Sequence, residues 1–423
     1  MTSRRQFMRR AGMLTLAAGF SGPMMAGARP KVVIVGGGVG GASVLRGLAG
    51  DGRGDFDVIL IEPETTYTTC FYSNLYVGGF RDLQVLQHDY AGIAGLPGVS
   101  VVHDRATALD LERRRLTLAE GGTVDYDRLV LTPGIALDYD SVPGWSRSAA
   151  EIMPHAWQAG SQTVLLKKQL DAVPDGGLIV MIAPPDPYRC PPGPYERVSM
   201  MAHALTTSGR TGARIVVIDP KRNFSKQPLF QQGWEQHYPG MVEWLSPMIH
   251  AGVTRVDPAT MTVETGFETY RNAALVNVIP RQTAGSIAVQ AGITGDDGYC
   301  PIDPATMQSR LDPSVFVLGD AAIAGDMPKS AFAANSQAQV AVAALRHELL
   351  NAPAATAGFR NKCWSLIAGN DSVFVGGWYE PRGGRITQVR SEISTLEDTP
   401  AKRQANYADS AGWYLGLTSE LFG

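Results

Sequence analysis

Residues 31–41 read Lys31-Val-Val-Ile-Val-Gly36-Gly-Gly38-Val-Gly-Gly41 and are followed by Ala-Ser-Val-Leu-Arg. The pattern predicts a buried strand, a tight turn and a helix. In such a turn the first glycine makes the bend and the second lets the backbone approach a pyrophosphate. The third lets helix pack on strand, and the helix N-terminus offers free N–H groups to phosphate. A second apolar run, Asp57-Val-Ile-Leu-Ile-Glu62, ends in a carboxylate 62 − 41 = 21 residues beyond Gly41. A spacing of about 20 is that of a carboxylate gripping a ribose hydroxyl. A glycine-rich turn of an ordinary α/β domain is the plainer alternative. Strand, turn, helix and carboxylate in this order point instead to a bound dinucleotide, with Gly36, Gly38, Gly41 and Glu62 as cofactor contacts.

The rest of the chain must supply more than one core. With 423 residues, two or three domains are expected. Hydrophobic residues at 44% and charged ones at 18% fit an ordinary globular composition. The net charge of −3 and the lack of a basic block argue against a nucleic-acid partner. Beyond the N-terminus no apolar run is long enough to cross a bilayer, so no stable membrane insertion is expected. Residues 1–28 read as a targeting segment: Ser3-Arg-Arg-Gln-Phe-Met8 fits a twin-arginine signal, followed by a short apolar stretch and Ala26-Gly-Ala28. An amphipathic helix is the alternative, and the A-x-A end disfavours it. Twin-arginine export carries proteins already folded around a cofactor. The mature chain is therefore expected in the periplasm, where disulfides persist.

A second unit repeats the first in outline. Strand Leu178-Ile-Val-Met-Ile-Ala183, a helical stretch from Glu196 to Thr207 and strand Arg214-Ile-Val-Val-Ile-Asp219 argue for duplication of the nucleotide fold. Where the glycines should stand, the chain reads Pro184-Pro-Asp-Pro-Tyr-Arg-Cys190-Pro-Pro-Gly-Pro. Proline has no N–H to give a phosphate, so this half keeps the fold and is expected to have lost NAD(P). Further on, Ser314-Val-Phe-Val-Leu-Gly319-Asp320 is a strand ending in Gly-Asp, and Ser330 is a plausible N-cap for an alanine-rich helix reaching about His347. That segment resembles the second flavin motif of the glutathione-reductase-like superfamily. There the aspartate holds the ribityl chain and the helix points its positive end at the flavin. Lys329 would add charge, and both would stabilise an anionic reduced flavin. Leu129-Val-Leu-Thr132-Pro-Gly resembles the turn by which such flavoproteins leave their flavin domain.

The expected class is therefore α/β. It comprises two Rossmann-like dinucleotide-binding domains of this FAD/NAD(P)-binding superfamily plus a C-terminal α+β interface domain. The boundaries are 29–145 with 290–350 for the FAD domain, 146–289 for the NAD-like domain without its fingerprint, and 351–423 for the last. In the last, a hairpin from Ser372 to Glu380 and from Arg385 to Ser391 precedes an aromatic tail.

Four cysteines in an exported chain allow three full pairings. Taken alone they suggest two structural disulfides, but their contexts differ. Cys70 lies in a Thr/Tyr-rich loop beyond the ribose-gripping strand, Cys190 in the proline loop, and Cys363 in the C-terminal part. Cys300 reads as a small buried residue.

The stretches Tyr67-Thr-Thr-Cys70-Phe-Tyr-Ser-Asn74, Arg189-Cys-Pro-Pro-Gly-Pro-Tyr-Glu-Arg197, Met327-Pro-Lys-Ser-Ala-Phe-Ala-Ala-Asn-Ser-Gln337 and Asn361-Lys-Cys363 resemble the flavoprotein subunit of flavocytochrome c sulfide dehydrogenase over nearly the whole mature chain. The residues after Asp320 depart from that family's pattern. The resemblance implies FAD held covalently through Cys70, a redox-active Cys190–Cys363 disulfide, and Glu196 as acid/base. It implies that hydrosulfide attacks one sulfur of the bridge, and that the electrons leave by way of the flavin. The chain has no C-x-x-C-H, so the resemblance also implies a separate c-type cytochrome subunit as heterodimer partner, with Trp378 and Tyr379 guessed as part of its docking surface. The alternatives are a sulfide:quinone reductase-like enzyme, a non-catalytic redox-activating flavoprotein of a sulfur-oxidation system, and an NAD-linked disulfide reductase. The last would need glycines where the prolines stand. An inert Cys190–Cys363 staple is the plainest alternative for the pair.

Overall fold

The computed structural model describes residues 29–50 and 52–423, so the targeting segment lies outside the described residues. The fold is a mixed α/β flavoprotein fold built around two parallel sheets. In the first, five strands run in the order Val315–Val317, Arg128–Leu131, Lys31–Val35, Asp57–Ile61 and Val99–Val102. Every neighbouring pair is parallel. Val32, Val33 and Ile34 are fully buried. The strand reads as an unbroken apolar run because both of its faces are buried, and each such side chain stabilises by roughly 1.5–3 kcal/mol. Helix Val39–Ala49 leaves the glycine turn and meets helix Ala331–Leu350 so closely that a Cβ at Gly47 would come 2.7 Å from Val342.

The second sheet holds Val242–Leu245, Arg214–Ile218, Leu178–Ile182 and Leu275–Val278, again all parallel. The likeness of the two units extends to single bonds. Gly36 N donates to Ile61 O at 3.0 Å, and Ala183 N, the matching position, donates to Ile218 O at 3.0 Å.

The C-terminal part departs from expectation. The hairpin is there, as Asp371–Arg382 paired with Arg385–Ile393, but a third strand, Phe359–Ala368, flanks it and carries Cys363 in mid-strand. The aromatic tail is a helix, Pro400–Phe422, with Thr399 as N-cap accepting from Lys402 N. It does not form a separate body. Arg46 Nε donates to Leu421 O at 3.1 Å, and the Tyr414 ring stacks on Tyr72 at 4.3 Å. Its signal was in the sequence: Tyr407, Ser410, Tyr414, Leu417 and Leu421 recur at spacings of three and four. Among the described residues no helix is long and apolar enough to cross a membrane.

Candidate active site

The glycine turn opens a cleft of about 790 Å³ whose walls include Gly36, Gly38, Glu62, Thr132, Gly319 and Asp320. The turn tolerates no side chain at two of its glycines. A Cβ at Gly36, which has φ +98°, would meet Thr132 O at 2.4 Å, and one at Gly41 would meet Gly36 O at 2.0 Å. At Gly38 the nearest atom is a Tyr67 carbon at 3.6 Å, which leaves room for a ligand to approach the backbone. Glu62 accepts from Gly37 N at 2.7 Å and from Glu64 N at 3.0 Å, which fixes its carboxylate at the cleft wall. The Thr132 hydroxyl lies 2.8 Å from Gly36 O and ties the exit turn to the fingerprint. These residues fit a dinucleotide such as FAD.

Ser330 caps the long helix by accepting from Ala333 N, so the helix's remaining free N–H groups open on the cleft, which Ser330 and Ala331 also line. Lys329 is a correction. Its ammonium does not point at the cleft but donates to Asp320 O at 3.0 Å and Ala322 O at 2.5 Å, over the Tyr299 ring at 3.7 Å. Burial pushes its pKa down to about 8. The three acceptors it finds inward are why it turns away. The cation at the cleft is Arg189, whose guanidinium lies 3.6 Å from the Asp320 carboxylate.

A second cavity, about 900 Å³, shares Cys70, Phe71, Arg189, Ser330 and Ala331 with the first. Its walls bring together Cys70, Cys190, Cys363 and Glu196 from three distant stretches of chain, with Trp364 and Trp413 beside them. Cys70 and Cys190 are half-buried and Cys363 is buried. All four cysteines carry free thiols in this structure, so the Cys190–Cys363 bridge implied by the resemblance is not among its bonds. Burial raises the pKa of each of the three thiols in the cavity, with Arg189 opposing the rise at Cys70 and Cys190. Cys300 lies apart, fully buried, its thiol pushed by burial up to about 12.

Glu196 sits on helix Gly193–Thr207, which begins where the glycine-less loop ends. Asn74 reaches across from the first unit and donates to Glu196 Oε2 at 2.8 Å, and Leu366 N donates to Oε1 at 2.9 Å. Burial raises the Glu196 pKa against these two bonds. A carboxyl so held can exchange a proton nearer neutral pH than an exposed one. Asn74 is fixed in turn by Arg197, whose Nε donates to Asn74 Oδ1 at 3.0 Å.

Four polar residues at the site went unassigned in the sequence: Asn74, Arg189, Lys226 and Asn361. Three lie inside the stretches that carried the resemblance, so their neighbours were the signal. Lys226 had none. It precedes a helix in another part of the second unit, and only folding brings its ammonium 3.2 Å from Cys363 O. Of the aromatics guessed for docking, Tyr379 is buried at 4% exposure, while Trp378 is half-buried between the guanidinium groups of Arg360 and Arg390.

Three stretches of the chain match known families. Residues 163–280 match the central domain of the sulfide dehydrogenase (flavocytochrome c) flavoprotein chain, and residues 355–422 the flavin-binding domain of flavocytochrome c sulfide dehydrogenase. Both matches are to domains of that flavoprotein. Residues 30–160 of this flavoprotein match the pyridine nucleotide-disulphide oxidoreductase family. A mitochondrial sulfide:quinone oxidoreductase of Dictyostelium discoideum is 22% identical over 76% of the chain and 72% of its own length. Among solved structures, the flavoprotein superposes on the sulfide:quinone oxidoreductase of Aquifex aeolicus with TM-score 0.75 at 15% identity, covering 93% of this chain and 92% of that one. Putidaredoxin reductase in its covalent complex with putidaredoxin gives 0.64 at 18%, covering 90% and 93%. At such identities the superpositions establish the fold. The family domains make the flavoprotein a sulfide-oxidising FAD oxidoreductase.

Proposed function

We propose that the chain is the flavoprotein subunit of a periplasmic sulfide dehydrogenase that passes electrons to a c-type cytochrome. The observation that carries this reading is the meeting of Cys70, Cys190, Cys363 and Glu196 in one largely apolar cavity that shares a wall with the dinucleotide cleft. FAD, when bound and joined to the chain through Cys70, supplies the two-electron acceptor beside the sulfurs. Cys190 and Cys363 close as a bridge in the oxidised protein. Hydrosulfide attacks one sulfur of the bridge: a new S–S bond forms, the old one breaks, and the displaced sulfur takes the electron pair as thiolate. Glu196, held by Asn74 and the Leu366 amide, receives or returns a proton as the sulfur species change charge. The apolar walls strengthen each charge interaction among these groups by keeping bulk water away.

The test has two arms. Denaturing electrophoresis read for flavin fluorescence should show flavin on the wild-type band and none on Cys70→Ser. Flavin released from both proteins would remove the covalent link. Sulfide-dependent reduction of a soluble cytochrome c should then exceed reduction of a short-chain quinone. The reverse preference would support the second reading, a quinone reductase, which the likeness to the D. discoideum enzyme favours.

A further inference from the structure

The two cysteines of the proposed pair stand in unlike surroundings, and the reaction as drawn leaves open which sulfur is attacked. Cys190 lies in a left-handed turn, φ 57°, on the loop wall, half-buried. Its N–H is held by Lys329 O at 2.8 Å. Cys363 is 9% exposed in the middle of its strand.

Asn361 stands two residues earlier on the same strand face, with its Nδ2 3.5 Å and its Oδ1 3.6 Å from Cys363 Sγ. Ser330 holds the amide in this orientation. Its Oγ accepts from Ala333 N at 3.0 Å, so its own proton goes to Asn361 Oδ1 at 2.6 Å. The neutral thiol can donate to Oδ1, but a thiolate has no proton to give, so Nδ2 with its N–H is the group that serves the charged sulfur. Asn361 is 4% exposed, which leaves that N–H little access to water.

Behind the strand, Lys226 is 5% exposed and donates to Cys363 O at 3.2 Å and Ser365 Oγ at 2.8 Å. Among the described residues no carboxylate forms an ion pair with it. A buried ammonium is costly without an anion nearby, and of the groups it faces, Cys363 acts on it more strongly than Glu196. The Glu196 carboxyl disfavours a negative charge on either sulfur; Arg189 opposes it at Cys190, and Asn361, Lys226 and Ser330 oppose it at Cys363.

We propose that Asn361 and Lys226 hold Cys363 as the departing thiolate, so that hydrosulfide attacks Cys190. The inference rests on the redox-pair reading above. In the step, the lone pair of HS⁻ forms the new bond to Cys190 Sγ and the Cys190–Cys363 bond breaks toward Cys363. The products are a Cys190 persulfide, which keeps the incoming proton, and a Cys363 thiolate. Charge and sulfur count are conserved, and no further reactant enters. Asn361 and Lys226 are positioning residues: one donates to the departing sulfur, the other sets the field behind it.

The holo-flavoprotein, oxidised and kept anaerobic, is treated with less than one equivalent of sodium sulfide. It is then quenched at once with iodoacetamide and mapped by peptide mass spectrometry. The extra sulfur atom should lie on the Cys190 peptide and a plain alkylated thiol on the Cys363 peptide. Extra sulfur on Cys363 overturns the assignment while leaving the redox pair intact. If the untreated protein shows no Cys190–Cys363 bridge and no sulfur adds to either residue, the underlying reading fails and takes this inference with it.

A pH profile supplies the second readout. In a Cys190→Ser protein, the groups facing Cys363 are Glu196 from its helix, Lys226 from the turn before helix Gln227–His237, and Tyr379 from the next strand. Alkylation of Cys363 should rise with pH about a midpoint that Asn361→Leu moves up by about one pH unit. Lys226→Met should move it likewise, and Lys226→Arg should restore part of the shift. Ser330→Ala, which frees the Asn361 amide to turn, should give a smaller rise and covers the case in which Asn361→Leu fails to fold. A loss of packing alone would hydrate the thiol and lower the midpoint, the opposite of the shift expected here. A midpoint that stays put in the Asn361, Lys226 and Ser330 variants overturns the proposal.

Discussion

The two parallel units share a chain path yet end in opposite ways. In each, the second strand finishes in a carboxylate whose own N–H is bonded to the next strand: Glu62 N to Val102 O at 3.0 Å, Asp219 N to Leu245 O at 3.1 Å. Glu62 stays at a cleft wall with its oxygens on two backbone N–H groups. Asp219 is fully buried, and its oxygens are taken by Tyr195 Oη at 2.5 Å, Trp244 Nε1 at 2.9 Å, and Lys221 through N at 3.0 Å and Nζ at 2.7 Å. No ribose can reach it without breaking that set. Duplication preserved the scaffold, but the second unit sealed the carboxylate at its strand end, and its proline loop hands Cys190 to the cavity beside the other unit's cleft. Inherited topology positions a site, and the side chains at the strand ends decide its ligand.

The largest expected effect breaks the contrast at the sulfur. Cys190→Ala and Cys363→Ala should each lower sulfide-dependent flavin reduction by at least ~10³-fold while bound flavin is kept, measured by anaerobic stopped-flow absorbance. Next comes the glycine turn. Gly41→Ala, which puts a Cβ 2.0 Å from Gly36 O, should lose most of the bound FAD, read as the flavin-to-protein absorbance ratio. Replacing Pro184 and Pro185 by glycine should create no NADH binding, because Asp219 remains enclosed. Quenching of protein fluorescence by micromolar NADH in that variant would end the contrast.

Asp219→Asn should cost about 3–5 kcal/mol in urea unfolding, since it strands the Lys221 ammonium and disturbs two buried donors. Glu196 gives a pH signature. Its folded pKa is raised by burial, so its contribution to stability is present below the unfolded carboxyl pKa and is lost as pH rises through the raised value. Glu196→Gln should flatten that fall in a series of denaturant midpoints against pH, and should remove any limb of the rate profile over the same interval. The smallest effect on chemistry is expected from Lys329→Met: flavin reduction within ~3-fold of wild type, with stability lower by about 1–2 kcal/mol for the carbonyls it leaves unpaired.

The fold class and the first cofactor site were legible because they depend on local rules. An unbroken apolar run means a strand covered on both faces, and glycines at 36, 38 and 41 mark positions where a Cβ is excluded or a ligand approaches. The loss of glycines in the second unit was legible for the same reason. The last helix has a readable spacing but a weak signal, because its buried face is thinned by Ser410 and Thr418. The rotation of Lys329 had no local signature, since it answers to carbonyls presented by a turn seven to nine residues earlier and to Tyr299.

By itself the sequence determined the strands and turns that open the two parallel units, where a dinucleotide fits, and which loop carries Cys190. It did so because sterics and period act between near neighbours. Tertiary structure alone decided that Asn74 reaches Glu196 across the units, that Lys226 lies behind Cys363, and that Asp219 is sealed. Those are long-range contacts, set by how two sheets and a C-terminal layer pack, and in a buried apolar space they decide which charge each group can carry.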